Sequence, residues 1–202
     1  MRVSRYLKLP ILAAILMVAT MAFADTVYVG SATYSGGTFT LNVNQTGTST
    51  YVVTYTADFT GWTGGSLYIA GVNFKFGSDP VSSASMSTTA SGAWTLYAPS
   101  GSLTGGSLAS NGCQAETGAT FICADTNNIV NATSGTYTWT FTVTYSSPIT
   151  DFTDNHIGAL FINSSGSSRG ILSTTATVPE PASLSFLGLA LGGIALRRFR
   201  KR

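Results

Sequence analysis

Residues Tyr137–Tyr145 constrain the fold most strongly, because large apolar side chains alternate there with threonines without a break. A period of two places successive side chains on opposite faces of a β-strand. The segment therefore predicts a strand with Trp139 and Phe141 in the core and hydroxyl groups on the other face. Phe39–Val43 and Tyr51–Tyr55 follow the same pattern.

Clusters of Gly, Asn, Ser and Asp separate these apolar runs, as turns between strands require. Residues 25–177 lack a convincing helical period, and their number suits one domain with a sizeable core. The pattern predicts an all-β fold, a single antiparallel β-sandwich or jelly-roll-like domain. Further strands are predicted at Thr26–Tyr34, Ala93–Tyr97, Ala119–Cys123 and Ile157–Ile162, and loops at residues 99–111 and 164–170.

One predicted strand changes phase partway along its length. Leu67 and Ile69 follow one alternation, whereas Val72 and Phe74 follow the other. A bulge adds one residue to a strand and lets both sets face the same side. We therefore expect a bulge near Gly71.

The N-terminus has the three parts of a secretory signal peptide. A basic start with Arg2 and Arg5 precedes an apolar stretch, Ile11–Ala19, and an Ala-x-Ala site formed by Ala22 and Ala24. We expect signal peptidase to remove residues 1–24 and the body to be exported.

The C-terminus also has three parts. Val178, Pro179, Glu180 and Pro181 precede an apolar run over residues 182–196. The run would form a helix only about 22 Å long, against a hydrocarbon core of roughly 30 Å. It predicts a short, temporary transmembrane helix, with a permanent tail anchor as the alternative. The basic end, which should stay cytoplasmic, consists of Arg197, Arg198, Arg200, Lys201 and Arg202.

This order of Pro-Glu-Pro, short apolar run and basic end, over residues 178–202, resembles the PEP-CTERM sorting signal of bacterial surface proteins. The resemblance implies that exosortase, a membrane protease-transferase, handles the chain after an inner-membrane intermediate. It further implies a cell-surface or extracellular-matrix location, with exopolysaccharide as a partner.

The basic residues of the chain are concentrated at its ends. Between residues 25 and 178 only Lys75 and Arg169 remain against seven acidic residues, which leaves a net charge of −5. Phosphate binding needs a basic surface, so this composition argues against nucleic acid as a partner.

Cys113 and Cys123 are the only cysteines. An even count in an exported chain predicts a disulfide, because export leads to an oxidising compartment. The alternative of a metal pair lacks partners, since the chain has one histidine and no Cys-x-x-Cys.

Two patterns suggest catalysis without establishing it. The run from Gly166 to Gly170 matches the Gly-x-Ser-x-Gly elbow of hydrolases, but that elbow needs a strand-to-helix turn, and we expect a hairpin loop. His156 lies near Asp151 and Asp154, a trio that suits a Ca²⁺ site, a Ser/His/Asp set or a polar capping loop. We expect no catalytic residues, no metal site and no cofactor, and hence not an enzyme.

Three functions follow from these features. The first is an exported surface or matrix protein, sorted by exosortase, with a structural or adhesive β-domain. The second is a carbohydrate-binding module, which would need a coplanar aromatic platform including Trp62. The third is a secreted hydrolase, which would need catalytic side chains that converge in one cleft.

Overall fold

The computed structural model describes residues 26–76, 79–98, 105–116, 120–152 and 155–176, with the backbone alone at 26–27, 105–107 and 115–116. The predicted signal peptide and the predicted sorting segment lie outside these residues. The described chain forms twelve strands: β1 (Thr26–Tyr34), β2 (Gly37–Gln45), β3 (Thr50–Asp58), β4 (Tyr68–Lys75), β5 (Val81–Thr88), β6 (Thr95–Tyr97), β7 (Gly105–Ala109), β8 (Gly112–Glu116), β9 (Ile122–Asp125), β10 (Thr136–Tyr145), β11 (His156–Ile162) and β12 (Ser168–Thr175).

Two five-stranded sheets pack face to face. The first has the order β1-β2-β3-β10-β5 and the second the order β12-β11-β4-β9-β6. Strands β7 and β8 form a separate hairpin. Every pairing of named strands is antiparallel. The predicted all-β antiparallel sandwich is confirmed.

Strand β10 has the predicted two faces. Trp139, Phe141 and Val143 are fully buried, whereas Thr142 is exposed and Thr140 is half-buried. The aromatic face meets the second sheet, where Phe141 contacts Phe74 of β4 with ring centroids 4.8 Å apart. The alternation in the sequence therefore marks the inner face of the first sheet.

Strand β4 contains the predicted bulge. Gly71 lies opposite Leu160 and Ile69 opposite Phe161, so Ala70 is the extra residue. Because of it, Ile69 and Val72 both reach the main core. Ala70 instead joins a small apolar cluster with Leu160 and Ile162.

Buried tyrosines link β3 through hydrogen bonds to the second sheet and to the connection between β10 and β11. The Tyr55 hydroxyl donates to the Gly158 carbonyl oxygen across the core at 2.8 Å. The Tyr51 hydroxyl accepts from the Ile149 amide at 2.9 Å. Burial raises the pKa of Tyr55 well above its ordinary value, which keeps this phenol a neutral donor.

Several strand predictions need correction. Strand β7 occupies part of the predicted loop over residues 99–111, and neither β8 nor β5 had a prediction. Strand β5 is an edge strand with half of its side chains exposed, so its Ser-rich sequence lacks a clear apolar alternation. The predicted strand at Ala93–Tyr97 is limited to Thr95–Tyr97, and the one ending at Cys123 instead runs from Ile122 to Asp125.

Candidate functional site

The predicted sorting and processing residues lie outside the described part of the chain. They are Ala22, Ala24, Val178, Pro179, Glu180, Pro181, Arg197, Arg198, Arg200, Lys201 and Arg202. The described residues end at Ala176, which is buried. Its amide donates to the Asn155 carbonyl at 3.3 Å, and its own carbonyl accepts from the Tyr28 hydroxyl at 3.4 Å. The sandwich thus holds the chain up to Ala176, two residues before the predicted sorting segment begins.

No helix among the described residues has both the length and the apolar character that a membrane span requires. The short transmembrane helix predicted at residues 182–196 falls outside those residues.

Trp62, the candidate for sugar stacking, is half-buried and packs against the core. Its neighbouring rings belong to Tyr34, Phe59 and Phe161, at interplanar angles of 42°, 90° and 35°. The indole nitrogen donates to the Gly65 carbonyl at 2.8 Å. These four rings are not coplanar, so they do not form the flat platform that the carbohydrate-module hypothesis requires.

His156 lies beside a serine that the sequence analysis did not single out. Its Nε2 is 3.0 Å from the Ser173 hydroxyl on the neighbouring strand β12. Phe121 contacts the imidazole edge to face, with centroids 5.1 Å apart. A histidine beside a serine is the core of a nucleophile–base pair, but Ser173 is exposed on a strand rather than set in a cleft. Asp154, the expected third member, lies outside the described residues.

The Gly-x-Ser-x-Gly sequence joins two strands instead of a strand and a helix. Gly166 has φ of 79° in the turn between β11 and β12. The Asn163 carboxamide oxygen organises this turn by accepting from the amides of Ser165 and Ser167 at 3.1 and 2.9 Å. The first two residues of the segment thus belong to a hairpin turn, and its central residue Ser168 begins β12, so the predicted loop is shorter than expected. A strand rather than a helix follows this serine, so the segment does not meet the requirement of a hydrolase elbow.

The disulfide between Cys113 and Cys123 is present, with Cα atoms 5.8 Å apart. It fastens β8 of the hairpin to β9 of the second sheet. Leu108 of β7 packs on the small cluster of Ala70, Leu160 and Ile162. The hairpin therefore covers part of the outer face of this sheet.

A cleft of about 110 Å³ lies beside the hairpin turn. Its rim is formed by Ser110, Asn111, Gly112, Asp125, Thr126, Asn127 and Gly166, and its floor by Ala70, Leu160 and Ile162. We call it the Asp125 cleft. Polar groups around an aliphatic floor are the usual composition of a small-molecule site.

Asp125 is the charged residue of this cleft. Its Oδ2 accepts a hydrogen bond from the Cys113 amide at 2.7 Å. Burial raises the pKa of this carboxyl, and the bond from Cys113 offsets the rise only in part. Among the described residues, no lysine or arginine forms an ion pair with it. A half-buried carboxylate without a cation is costly, and such groups cluster at functional sites.

Gly112 makes the position of Asp125 possible. Its φ of 102° lies in a region that favours glycine, and a Cβ atom there would collide with Asp125 Oδ2. The dipeptide Asn111-Gly112 is a turn signal in the sequence, and it is the signal that could have revealed this hairpin.

The described residues contain no group of three or more His, Cys, Asp and Glu side chains placed to hold a metal ion. Asp151 is described and exposed, but Asp154 is not described, so the predicted trio with His156 stays a prediction.

Comparison with known proteins places a function at the C-terminus. The family model of the PEP-CTERM protein-sorting motif matches residues 177–201. No curated protein matches the chain. The chain thus carries a PEP-CTERM protein-sorting motif, as the order of its C-terminal segments predicted. The motif indicates an exported protein that is targeted to exosortase through a membrane-anchored intermediate.

Proposed function

We propose that this chain is a non-catalytic structural or adhesive protein of the bacterial surface or extracellular matrix. Signal peptidase removes residues 1–24, exosortase cleaves near Pro179–Pro181, and the β-sandwich is then displayed or released. Exopolysaccharide is the partner that such a location offers.

One observation carries this proposal: the motif at residues 177–201 begins two residues after the end of β12 at Thr175. The hydrogen bonds of Ala176 secure the last described residue to the body, so cleavage beyond it leaves every described strand intact. A sorting segment that follows β12 in the sequence suits a protein whose β-sandwich is delivered whole.

The non-catalytic role is supported by the arrangement of the candidate side chains. Ser173 is exposed on a strand, and the Gly-x-Ser-x-Gly segment runs from a hairpin turn into β12 rather than into a helix. The second candidate, a secreted hydrolase, depends on the contact between His156 and Ser173 alone. A fluorophosphonate probe decides between the two, because an activated serine would be labelled and the label would be lost in Ser173→Ala.

Intact-mass spectrometry tests the maturation. The protein is isolated from a host with exosortase and from the same host without it. We expect an N-terminus at Asp25 in both, and loss of residues 197–202 only where exosortase is present. Recovery of the intact tail in both hosts would contradict the cleavage and leave a permanent membrane anchor.

A matched pair of proline variants locates the processing signal. The double variant Pro179→Ala/Pro181→Ala should keep its tail in the exosortase-positive host, because the rigid, extended segment is lost. Pro148→Ala alters an exposed proline of the body and should be processed normally. Equal processing of both variants would contradict a role for the Pro-Glu-Pro segment.

A further inference from the structure

The Asp125 cleft has hydrogen-bonding groups that no other described residue uses. Asp125 Oδ2 is occupied by the Cys113 amide, but Oδ1 has no hydrogen bond to any described residue. Ser110 and Asn127 line the rim, and both are exposed. The cleft therefore offers one ionised acceptor together with hydroxyl and amide groups that both donate and accept.

The floor of the cleft has the opposite character. Leu160 and Ile162 are buried members of the small apolar cluster, and Ala70 reaches it through the bulge in β4. A ligand that fits must therefore present an apolar face to the floor and polar groups to the rim. A sugar ring has this composition, with C–H groups on one face and hydroxyl groups around its edge.

A calcium ion fits the same groups poorly. Ca²⁺ takes about six to eight oxygen ligands, usually with several carboxylates. The cleft has a single carboxylate, and the side-chain oxygen of Asn111 already accepts from Gln114 at 2.7 Å. The hydroxyl groups of a neutral ligand, in contrast, can donate to Oδ1 of Asp125, the carboxylate oxygen that the Cys113 amide does not occupy.

The volume limits the size of the ligand. At about 110 Å³ the cleft accepts part of one sugar ring rather than a row of them. A sugar unit at the end or on a branch of a polysaccharide reaches such a cleft, whereas a sugar unit in the middle of an unbranched polysaccharide does not.

We propose that the Asp125 cleft binds a single terminal or branch sugar unit of a polysaccharide, with the Asp125 carboxylate accepting from a sugar hydroxyl. Asn127 and Ser110 bond to the neighbouring hydroxyl groups, and the aliphatic floor contacts the ring. This function goes beyond display by exosortase. If the cleft does not bind sugar, export and processing of the chain still stand.

The disulfide supports this site by fixing one of its walls. Residues Ser110–Gly112 belong to the hairpin turn, and the adjacent Cys113 is bonded to β9. The amide of Cys113 also orients the carboxylate of Asp125. Reduction of the disulfide should therefore weaken sugar binding.

Amide chemical shifts of the mature protein measure this binding. The probes are the methyl glycosides of glucose, galactose, mannose and N-acetylglucosamine at millimolar concentrations, and calcium chloride is titrated separately. We expect at least one glycoside to shift the amides of residues 110–113 and 125–127. Absence of these shifts with all four glycosides, or shifts centred elsewhere, would overturn the proposal.

Substitutions identify the group that binds. Asp125→Asn keeps an acceptor for the Cys113 amide but loses the charge, so we expect binding to weaken by about tenfold or more. Asp79→Asn removes the same charge from a residue that does not line the cleft and should bind normally. Equal binding by both variants would overturn the role of Asp125.

Two further readouts cover the remaining outcomes. If Asp125→Asn does not fold, Asn127→Ala at the exposed rim serves instead, and undiminished binding by it would overturn the site. If only calcium shifts the same amides, and Asp125→Asn abolishes that shift, the cleft is a cation site and the sugar proposal is wrong.

Discussion

Trp139 offers the sharpest test of how the sequence pattern produces this fold. It is fully buried, and its ring contacts Trp94 and Tyr55 with centroids 5.0 and 5.7 Å away. Its indole nitrogen is also buried but has no hydrogen-bond partner among the described residues. The side chain therefore stabilises the core by its volume while its N–H group costs free energy.

The large buried volume of Trp139 and its unpaired N–H group determine how much each substitution should change the free energy of unfolding. Trp139→Ala leaves a large cavity and should lower the free energy of unfolding by about 3–5 kcal/mol. Trp139→Phe keeps most of the ring volume and removes a buried donor whose burial costs about 1–3 kcal/mol. The Phe variant should therefore lose less than about 2 kcal/mol.

Thr140→Ser is the control on the same strand. Thr140 is half-buried on the outer face of β10, opposite Thr54 and Ser87 of the neighbouring strands. Its substitution should cost less than about 1 kcal/mol, mainly through the lower β-propensity of serine.

Urea unfolding followed by far-UV circular dichroism measures all three variants, because this signal does not depend on the tryptophan that is removed. The expected order of destabilisation is Trp139→Ala, then Trp139→Phe, then Thr140→Ser. Equal losses at both positions would refute the assignment of one inner and one outer face. A Phe variant as unstable as the Ala variant would refute the cost assigned to the buried N–H group.

Three further predictions concern the disulfide and the pH dependence of stability. The double variant Cys113→Ala/Cys123→Ala should lower the free energy of unfolding by about 2–3 kcal/mol, because the unfolded chain gains entropy when the disulfide no longer closes a loop. Quantitative thiol labelling of both cysteines in the untreated native protein would contradict the disulfide. Burial raises the pKa of Asp125 above its ordinary value of 3.8. The contribution of the Asp125 side chain to the free energy of unfolding therefore falls as the pH rises from 3.8 through the folded-state pKa. Asp125→Asn should therefore melt at an equal or higher temperature at neutral pH, and a clearly lower one would contradict this sign. Hydrogen bonds from Thr60 lower the pKa of Asp58 below its ordinary value of 3.8. The stabilisation of the fold by the Asp58 carboxylate is therefore present above pH 3.8 and is lost as the pH falls through the folded-state pKa. Melting of Asp58→Asn should accordingly depend less on pH in that acidic range than melting of the wild type, and an unchanged pH dependence would contradict the assignment.

The sequence predicted those parts of the fold that a short stretch of residues encodes. The alternation around Trp139 identifies the inner face of β10 because side-chain direction in a strand has a period of two. The phase change in β4 identifies its bulge for the same reason. The disulfide followed from the export signals and the count of two cysteines.

Other features depended on contacts between distant residues. The hairpin of β7 and β8 has a Gly- and Ser-rich sequence that resembles a loop, and it is placed by Leu108 packing on the second sheet. Trp62 seemed the best candidate for an exposed ring because glycines surround it, but Phe161 from β11 packs against it. The pair of His156 and Ser173 forms because β11 and β12 are neighbours in the sheet.

The sequence by itself determined the sorting class of this protein, since the Pro-Glu-Pro segment, the apolar run and the basic end are consecutive in the chain. It also determined that the body is a β-sandwich, because the buried face of strands such as β2, β3 and β10 follows from a local alternation of apolar and polar residues. Only the tertiary structure decided where the Asp125 cleft lies. Asp125 on β9, the turn before Cys113 and the floor residues on β4 and β11 come from separate parts of the chain. They meet because sheet order and hairpin packing depend on long-range contacts, which no local pattern encodes.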